Sequence, residues 1–308
     1  MRRSEQLLPE NKTLHMWIYG PPGVGKTKAA LQAARLGRTL FIAVESGIMQ
    51  HHLDKVPMEN LCIVGPDDMN DLNIVYNKLA EFQTIYYKWA ENQTDALREN
   101  LRRLDSWFQN KELDPVAYKP RPFVFIIVDT LTDVQKDTII HQAPRDAKDF
   151  TKSKTLQIQE WGKSNAMLDS ITDAMVKQEK PYVDLRCNSI WISHEKTEYN
   201  EDGAIARVCP ALSGQNPKLI GAKFDIEAYC KLEFKGGARI QSMIVQKHGL
   251  YSKYDVKDRT DKLGNEIMDS APGACDIVER IMKNCGWIPK GTDLALEAKN
   301  TSANSVKK

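Results

Sequence analysis

Three features that this 308-residue chain lacks narrow the classes of protein to which it can belong. No apolar run approaches the roughly 20 residues of a membrane-spanning helix, and no apolar stretch of signal-peptide length stands at the N-terminus, so we expect a cytoplasmic protein without a membrane partner. The six cysteines include no C-x-x-C pair, so their spacing supports neither a zinc site nor a disulfide framework. Because the formal net charge is only +2, any nucleic-acid surface must be local.

The chain does contain a complete phosphate-binding loop, G-x-x-x-x-G-K-T, at residues 20–27. Its glycines let backbone N–H groups surround a phosphate, Lys26 reaches the β and γ phosphates, and the Thr27 hydroxyl ligates Mg²⁺. An apolar run before this phosphate loop and a helix-forming run after it predict a helix whose N-terminus faces the phosphates. We therefore predict a nucleotide site made by Gly20, Pro21, Pro22, Gly23, Val24, Gly25, Lys26, Thr27 and Lys28.

Apolar runs of strand length recur along the chain, and helical patterns separate them. These runs are mostly apolar on both faces, as in strands that helices cover on each side. Alternating strands and helices predict an α/β fold, a mostly parallel twisted sheet flanked by helices. A Lys-Gly-Gly-Ala turn at residues 235–238 predicts an antiparallel hairpin at the sheet edge. The predicted parallel strands are residues 14–19, 38–45, 60–64, 122–129 and 188–194, with helices at 26–36, 67–82 and 156–177.

The length suits one large α/β domain with appendages. We place this domain at residues 1–265, with a helical insertion at 85–118 in which apolar residues recur at helical spacing. The apolar face of the insertion is expected to pack on the domain or on a partner. Residues 266–290 are predicted to form a helical appendage, and residues 291–308 a disordered basic tail.

Asp129 follows a run of apolar residues and ends a predicted buried strand. Open α/β sheets bind ligands at the carboxyl ends of their strands. We therefore predict that Asp129, in the Walker B position, holds Mg²⁺ together with Thr27. The alternative is that Asp129 caps the helix or turn that follows it.

The residue after Asp129 is Thr130 and not an acid. AAA+ ATPases carry their catalytic glutamate at that position, so an ordinary AAA+ mechanism is not expected and the base must come from elsewhere. Glu45 ends the strand after the phosphate-loop helix, where its carboxylate can orient water for attack on the γ-phosphate. The alternative is that Glu45 is a solvated strand end.

The order of these motifs resembles that of the RecA-like ATPases. The matching segments are GPPGVGKT, a strand that ends in glutamate (LFIAVES), a Walker B strand (IIVDTLTDV) and a strand that ends in a polar sensor (SIWISHEK). Within that superfamily, residues 12–260 are most similar to the compact phage-encoded nucleotide-binding ATPases of single-strand annealing and recombination, whose sensor strand also ends in His-Glu. The resemblance implies ATP and Mg²⁺ as ligands and, for a phage-encoded protein, the host cytoplasm.

The same resemblance implies a role for His194, which ends the sensor strand. It occupies the place where RecA uses a glutamine to sense the γ-phosphate and to pass that state to a DNA-binding loop. An imidazole can donate a hydrogen bond to a phosphate oxygen. The alternative is a strand-end histidine without a ligand. No N-K-x-D tetrapeptide, which reads guanine, is present, and this favours ATP over GTP.

Two loops of RecA-like proteins contact DNA, and the resemblance places their counterparts at residues 141–155 and 195–210. Lysine and arginine side chains there suit backbone contacts with single-stranded DNA. Acidic neighbours dilute the charge of both loops, so the alternative is ordinary solvated surface. The candidate DNA-binding residues are Arg145, Lys148, Lys152, Lys154, Lys196 and Arg207.

A basic segment at residues 253–259 resembles one that related ATPases place near the nucleotide, often across a subunit boundary. In a homo-oligomer, Lys257 or Arg259 is therefore a candidate to neutralise charge on the γ-phosphate, as an arginine finger does. The alternative is an exposed charged turn.

Three functions remain open at this point. The first is a Mg²⁺-dependent ATPase of phage-type DNA recombination or replication, which binds single-stranded DNA and acts with a recombination or replication protein. The second is a nucleotide-gated adaptor or loader for such a protein, with little hydrolysis of its own. The third is a small-molecule or nucleotide kinase, but the arginine-rich lid that such kinases add is not identifiable.

Overall fold

The computed structural model describes residues 13–45, 52–67, 69–142, 158–176, 185–214 and 216–287. Within these ranges, strands and helices alternate as the sequence predicts. The strands are β1 (His15–Gly20), β2 (Thr39–Ala43), β3 (Leu61–Val64), β4 (Phe125–Asp129), β5 (Asn188–Tyr199), β6 (Ile205–Pro210), β7 (Ile226–Lys235), β8 (Ala238–Ile244), β9 (Lys257–Asp258) and β10 (Glu266–Met268). The helices are α1 (Lys26–Leu31), α2 (Met69–Asn92), α3 (Asp95–Gln109), α4 (Leu131–Gln142), α5 (Ile158–Val176), α6 (Asn216–Gly221) and α7 (Ile277–Asn284).

The strands form one mixed sheet in the order β10-β8-β7-β1-β5-β4-β2-β3. The six strands from β7 to β3 run parallel, while β8 and β10 are antiparallel at one edge. This confirms the predicted fold class. The strand that precedes the phosphate loop, β1, is separated from the Walker B strand, β4, by the sensor strand β5. The carboxyl ends of all three strands therefore lie side by side.

Both faces of the central strands are buried, and alternate residues enter two different cores. Trp17, Ile126 and Trp191 belong to the core that α2, α3, α4 and α5 cover. Ile18 and Ile127, their neighbours along the chain, belong to the core under α1 and α7. The sheet therefore lies between two helical layers, and the carboxyl ends of its strands are available to form a site.

The predicted insertion at residues 85–118 begins within a helix, because α2 continues unbroken to Asn92. A second helix, α3, then starts at the cap Thr94, whose Oγ1 accepts a hydrogen bond from the Leu97 amide. Apolar residues of α3 are buried in the same core as those of α2. The buried side chain of Asp105 pairs with Arg38, which stands just before β2. This helical hairpin is therefore part of the main core.

The predicted domain limit at residue 265 also falls inside the fold. β10 begins at Glu266 and pairs with β8, and α7 packs its buried face against the core under α1. Two elements are longer or shorter than predicted. β5 continues past His194 to Tyr199, and α1 ends at Leu31, where a 3₁₀ turn takes over. The predicted tail at residues 291–308 lies outside the described residues.

Candidate functional site: a nucleotide cavity at the carboxyl ends of the strands

The phosphate loop leaves β1 at Gly20, where no other residue fits. A Cβ atom at Gly20 would lie 2.4 Å from the carbonyl oxygen of Cys230, and the φ angle there is 155°. Gly25, with φ 84°, provides the left-handed N-cap of α1. The loop is also anchored from β8, because the side-chain amide of Gln241 donates to the carbonyl oxygen of Val24 at 2.9 Å. The loop conformation is thus fixed by glycines and by a neighbouring strand.

Lys26 is buried and folds back over the loop. Its Nζ donates to the carbonyl oxygens of Gly20 at 2.8 Å and Pro21 at 2.7 Å. Burial lowers the pKa of Lys26, although the nearby acidic groups act in the opposite direction. The oxygens of a bound phosphate would compete with the two carbonyl oxygens for the hydrogen bonds that this ammonium group donates.

Thr27 and Asp129 meet at the sheet edge, as the Mg²⁺ prediction requires. The Thr27 hydroxyl donates to Oδ2 of Asp129 at 2.7 Å. Oδ1 of Asp129 is buried and accepts no hydrogen bond from any described residue. Burial raises the pKa of Asp129 to about 6, the Thr27 hydrogen bond lowers it, and the charge of Glu45 raises it. A hydroxyl and a carboxylate with one unpaired buried oxygen are the hard oxygen ligands that Mg²⁺ takes, so the residues fit this ion.

Glu45 is held beside Asp129 by its backbone. The amides of Val44 and Glu45 both donate to the carbonyl oxygen of Asp129, at 2.8 and 3.0 Å. The Glu45 carboxylate, nearly half exposed, then lies with Oε2 3.6 Å from Nε2 of His194. The backbone of His194 is fixed in turn, because its amide donates to Oγ1 of Thr132 in the first turn of α4 at 3.1 Å. The two residues predicted as base and sensor are therefore neighbours.

A cavity of about 470 Å³ joins these groups. Residues of the phosphate loop line its floor, while Glu45, Asp129 and His194 line one side. Arg239 and Gln241 of β8 line another part of it, and sequence reasoning missed both. No local signal marks them, because they reach the cavity only through the pairing of β7 with β1 and of β8 with β7.

Lys257 and Arg259 do not reach this cavity within the chain. Lys257 pairs with Glu227 near the start of β7, at the end of the sheet opposite to the phosphate loop, and its Nζ donates to the carbonyl oxygen of Gly221. Arg259 lines a separate cavity of about 170 Å³. The predicted catalytic role of these two residues is therefore not available inside one chain and stays a prediction for contact with a second copy.

The predicted DNA-binding residues fall into two groups. Four of them, Arg145, Lys148, Lys152 and Lys154, lie outside the described residues. Lys196 and Arg207 lie on β5 and β6, which form a hairpin where a loop is predicted. Nζ of Lys196 lies 3.1 Å from Glu198, and Arg207 pairs with Asp255. Both cations of the hairpin thus already have acidic partners.

Comparisons with known proteins bear on the family and the fold. Residues 12–260 match the family described as AAA domain, AAA_24. Solved structures with similar topology include the KaiC-like protein PH0186 from Pyrococcus horikoshii OT3, at 9% identity, with 75% of this chain and 77% of that chain covered and a TM-score of 0.33. Another is the flagellar accessory protein FlaH from Methanocaldococcus jannaschii, at 11% identity, with 85% and 87% covered and a TM-score of 0.34.

No curated protein matches the sequence. Among the described helices, none has the length and apolar character to cross a membrane. Because the family match spans residues 12–260 and includes the phosphate loop, this chain belongs to the AAA domain family AAA_24.

Proposed function

We propose that this protein is a Mg²⁺-dependent ATPase of phage-type DNA recombination or replication, and that single-stranded DNA stimulates it. One observation supports the hydrolytic part above all. The carboxylate of Glu45 and the imidazole of His194, 3.6 Å apart, line the same cavity as the paired side chains of Thr27 and Asp129. A base, a hydrogen-bond donor and an oxygen site for Mg²⁺ therefore surround one end of the phosphate loop.

In the proposed reaction, Lys26 and the loop amides hold the β and γ phosphates. Thr27 and Asp129 would hold Mg²⁺, which on binding neutralises phosphate charge. Glu45 orients a water molecule and accepts its proton as the water oxygen bonds to the γ-phosphorus. The bond between that phosphorus and the ADP oxygen breaks, and inorganic phosphate leaves. His194 donates a hydrogen bond to a γ-phosphate oxygen.

The proposed link to DNA runs through α4. This helix begins two residues after Asp129, and its Thr132 accepts the hydrogen bond from the His194 amide. Its 12 residues lead over about 18 Å toward the segment that carries Arg145 and Lys148. A shift of the sensor strand on nucleotide binding would therefore act on the first turn of α4. Because Lys196 and Arg207 are already in ion pairs, the segment that carries Arg145 and Lys148 is a better candidate for DNA binding than the hairpin of β5 and β6.

Steady-state hydrolysis of ATP tests the catalytic part. Without its general base, Glu45→Gln is expected to lower kcat by about 10²- to 10⁴-fold while ATP still binds. Lys26→Ala is expected to lose both binding and hydrolysis. Glu59→Gln, which alters an exposed carboxylate away from the cavity, is the matched control and should behave like wild type. Equal kcat values for Glu45→Gln and Glu59→Gln would contradict the proposed role of Glu45.

The DNA part has its own test, which compares hydrolysis with and without single-stranded DNA. We expect stimulation that weakens with salt, because phosphate contacts release counterions. Replacing Arg145, Lys148, Lys152 and Lys154 by alanine should bring the ratio of stimulated to unstimulated rate close to one. Two results together would instead favour the nucleotide-gated adaptor. The hydrolysis rate would not change when DNA is added, and the Glu45→Gln variant would still bind a protein partner in an ATP-dependent way.

A further inference from the structure

Three metal-ligating side chains converge beside the nucleotide cavity, and the proposed mechanism uses only two of them. Ligand atoms of Glu45, Asp133 and His194 all lie within 4.8 Å of one another. They come from three separate segments, namely the residues just after β2, the first turn of α4 and β5. Two carboxylates and one imidazole form a mixed oxygen and nitrogen donor set, which differs from the all-oxygen set of Thr27 and Asp129.

We propose that Glu45, Asp133 and His194 form a binding site for a divalent transition-metal ion, zinc being the best fit, and that the bound ion blocks ATP hydrolysis. The binding site rests on the geometry of the three side chains alone. The inhibitory effect rests on the proposed function of Glu45 as the base.

The spacing of the three groups suits zinc after a small adjustment. Zinc bonds to histidine nitrogen and carboxylate oxygen are about 2.0–2.2 Å long, so neighbouring ligands of a tetrahedral site lie roughly 3.4 Å apart. Nε2 of His194 and Oε2 of Glu45 are already 3.6 Å apart. The third ligand, from Asp133, has at most about 1.4 Å to close from its limit of 4.8 Å. Three protein ligands leave a fourth position for water, as in open zinc sites.

The local structure holds the carboxylate of Asp133 ready for this role. Oδ2 of Asp133 accepts a hydrogen bond from the Thr130 hydroxyl at 2.5 Å, which orients the carboxylate as an outer-shell partner orients a metal ligand. Oδ1 is paired at 2.5 Å with Lys136, whose side chain is 60% exposed. Because the Lys136 side chain is exposed, its ammonium group can move into solvent when a cation takes its place beside Asp133.

The donor set also separates this site from the Mg²⁺ site. Imidazole ligands suit zinc, iron, nickel and copper, whereas Mg²⁺ and Ca²⁺ are held by oxygen ligands. Zinc is therefore expected to prefer the site with His194, and Mg²⁺ the site with Thr27 and Asp129. A zinc ion on Glu45 occupies the lone pairs that would accept the proton of the attacking water. Hydrolysis then stops although ATP and Mg²⁺ remain bound.

Isothermal titration of the full chain with zinc chloride, without nucleotide and with Mg²⁺ in large excess, measures the site directly. We expect one zinc ion per chain. Asp133→Asn keeps the acceptor for Thr130 but removes a charged ligand, and should weaken zinc binding at least roughly tenfold. Glu81→Gln, which changes an exposed carboxylate on α2, is the matched control and should bind zinc like wild type.

Hydrolysis assays with Mg²⁺-ATP complete the test. Zinc should inhibit the wild type and Glu81→Gln at the concentrations at which it binds, and should inhibit Asp133→Asn only at concentrations at least roughly tenfold higher. EDTA matched to the zinc should restore activity. Absorption of bound Co²⁺ identifies the ligands, since thiolates add intense near-ultraviolet charge-transfer bands that nitrogen and oxygen ligands do not.

Three results would overturn the proposal. They are the absence of zinc binding, equal zinc affinity in wild type and Asp133→Asn, and thiolate bands in the Co²⁺ spectrum. Inhibition that Asp133→Asn does not relieve would place the inhibiting ion at Thr27 and Asp129 instead. A chain that binds zinc as expected but hydrolyses no ATP would overturn the proposed function and leave the metal site intact.

Discussion

Replacing Asp129 by asparagine is expected to abolish hydrolysis and, in the absence of metal and nucleotide, to make the protein more stable. Burial raises the pKa of Asp129 from 3.8 to about 6, because the folded protein surrounds its charge with little water. The folded state thus binds the proton more tightly than the unfolded state. The free energy of unfolding therefore falls as the pH rises from about 4 to 6, and the loss is complete above that range.

The size of the effect follows from the same shift. About two pKa units at about 1.4 kcal/mol each give a penalty of about 3 kcal/mol at pH 7. Asparagine carries no charge to bury, and its carbonyl oxygen can still accept the hydrogen bond from Thr27. At pH 5 most folded molecules already carry the proton, so the advantage of asparagine should shrink to roughly half its value at pH 7.

Urea unfolding in EDTA at pH 7 and pH 5 measures both numbers. Glu59→Gln, with an exposed carboxylate, controls for the loss of one negative charge. Addition of Mg²⁺-ATP should stabilise the wild type far more than Asp129→Asn, because only the wild type binds the complete ligand. The reasoning is refuted if Asp129→Asn is no more stable than wild type at pH 7, or if its advantage is the same at both pH values.

Two further predictions concern groups that hold the site in place. Gly20→Ala should cost at least about 1–3 kcal/mol and should impair ATP binding, because its Cβ would lie 2.4 Å from the Cys230 carbonyl oxygen. Thermal unfolding of both variants measures this, and Gly162→Ala, with no atom near its added Cβ, should be neutral or stabilising. Asp105→Ala leaves the charge of Arg38 buried and unpaired, so we expect about 3–5 kcal/mol lost in urea unfolding. A loss under about 1 kcal/mol, as expected for an exposed pair, would contradict the assignment of Asp105 and Arg38 as a buried ion pair.

The part of the site that the sequence predicts is the part that short segments encode. The phosphate-loop motif identifies Lys26 and Thr27. Asp129 and Glu45 are identified because they end apolar strands, and the alternation of strands and helices predicts that these strands lie parallel. Where β7 lies in the sheet is not encoded locally. Lys257, whose strand pairs with the start of β7, therefore lies at the end of the sheet opposite to the phosphate loop, and a contact of Lys257 or Arg259 with the nucleotide stays a prediction for a second copy of the chain.

The boundaries of α2 and β5 differ from the prediction for two different reasons. In α2, apolar residues keep helical spacing through Ile85, Tyr86 and Trp89, which are partly buried against the core, so the helix continues to Asn92 and the predicted end at residue 82 comes too early. β5 continues beyond the buried sheet because β6 pairs with its exposed half. Asp133 was likewise overlooked, since only the fold brings the first turn of α4 next to the end of β2.

The position of β5 between β1 and β4 affects how the protein folds during its synthesis on the ribosome. β1 forms its parallel ladders with β5 and β7, and the contact between His15 and Ser189 joins residues 174 positions apart. At about 5–20 residues per second, the strand that leads into the phosphate loop waits roughly 10–35 s for its first neighbour. During that time the apolar side chains of β1 have no neighbouring strands to pack with, so we expect chaperones to bind this segment of the nascent chain. Nucleotide can assist folding only after β5 has emerged.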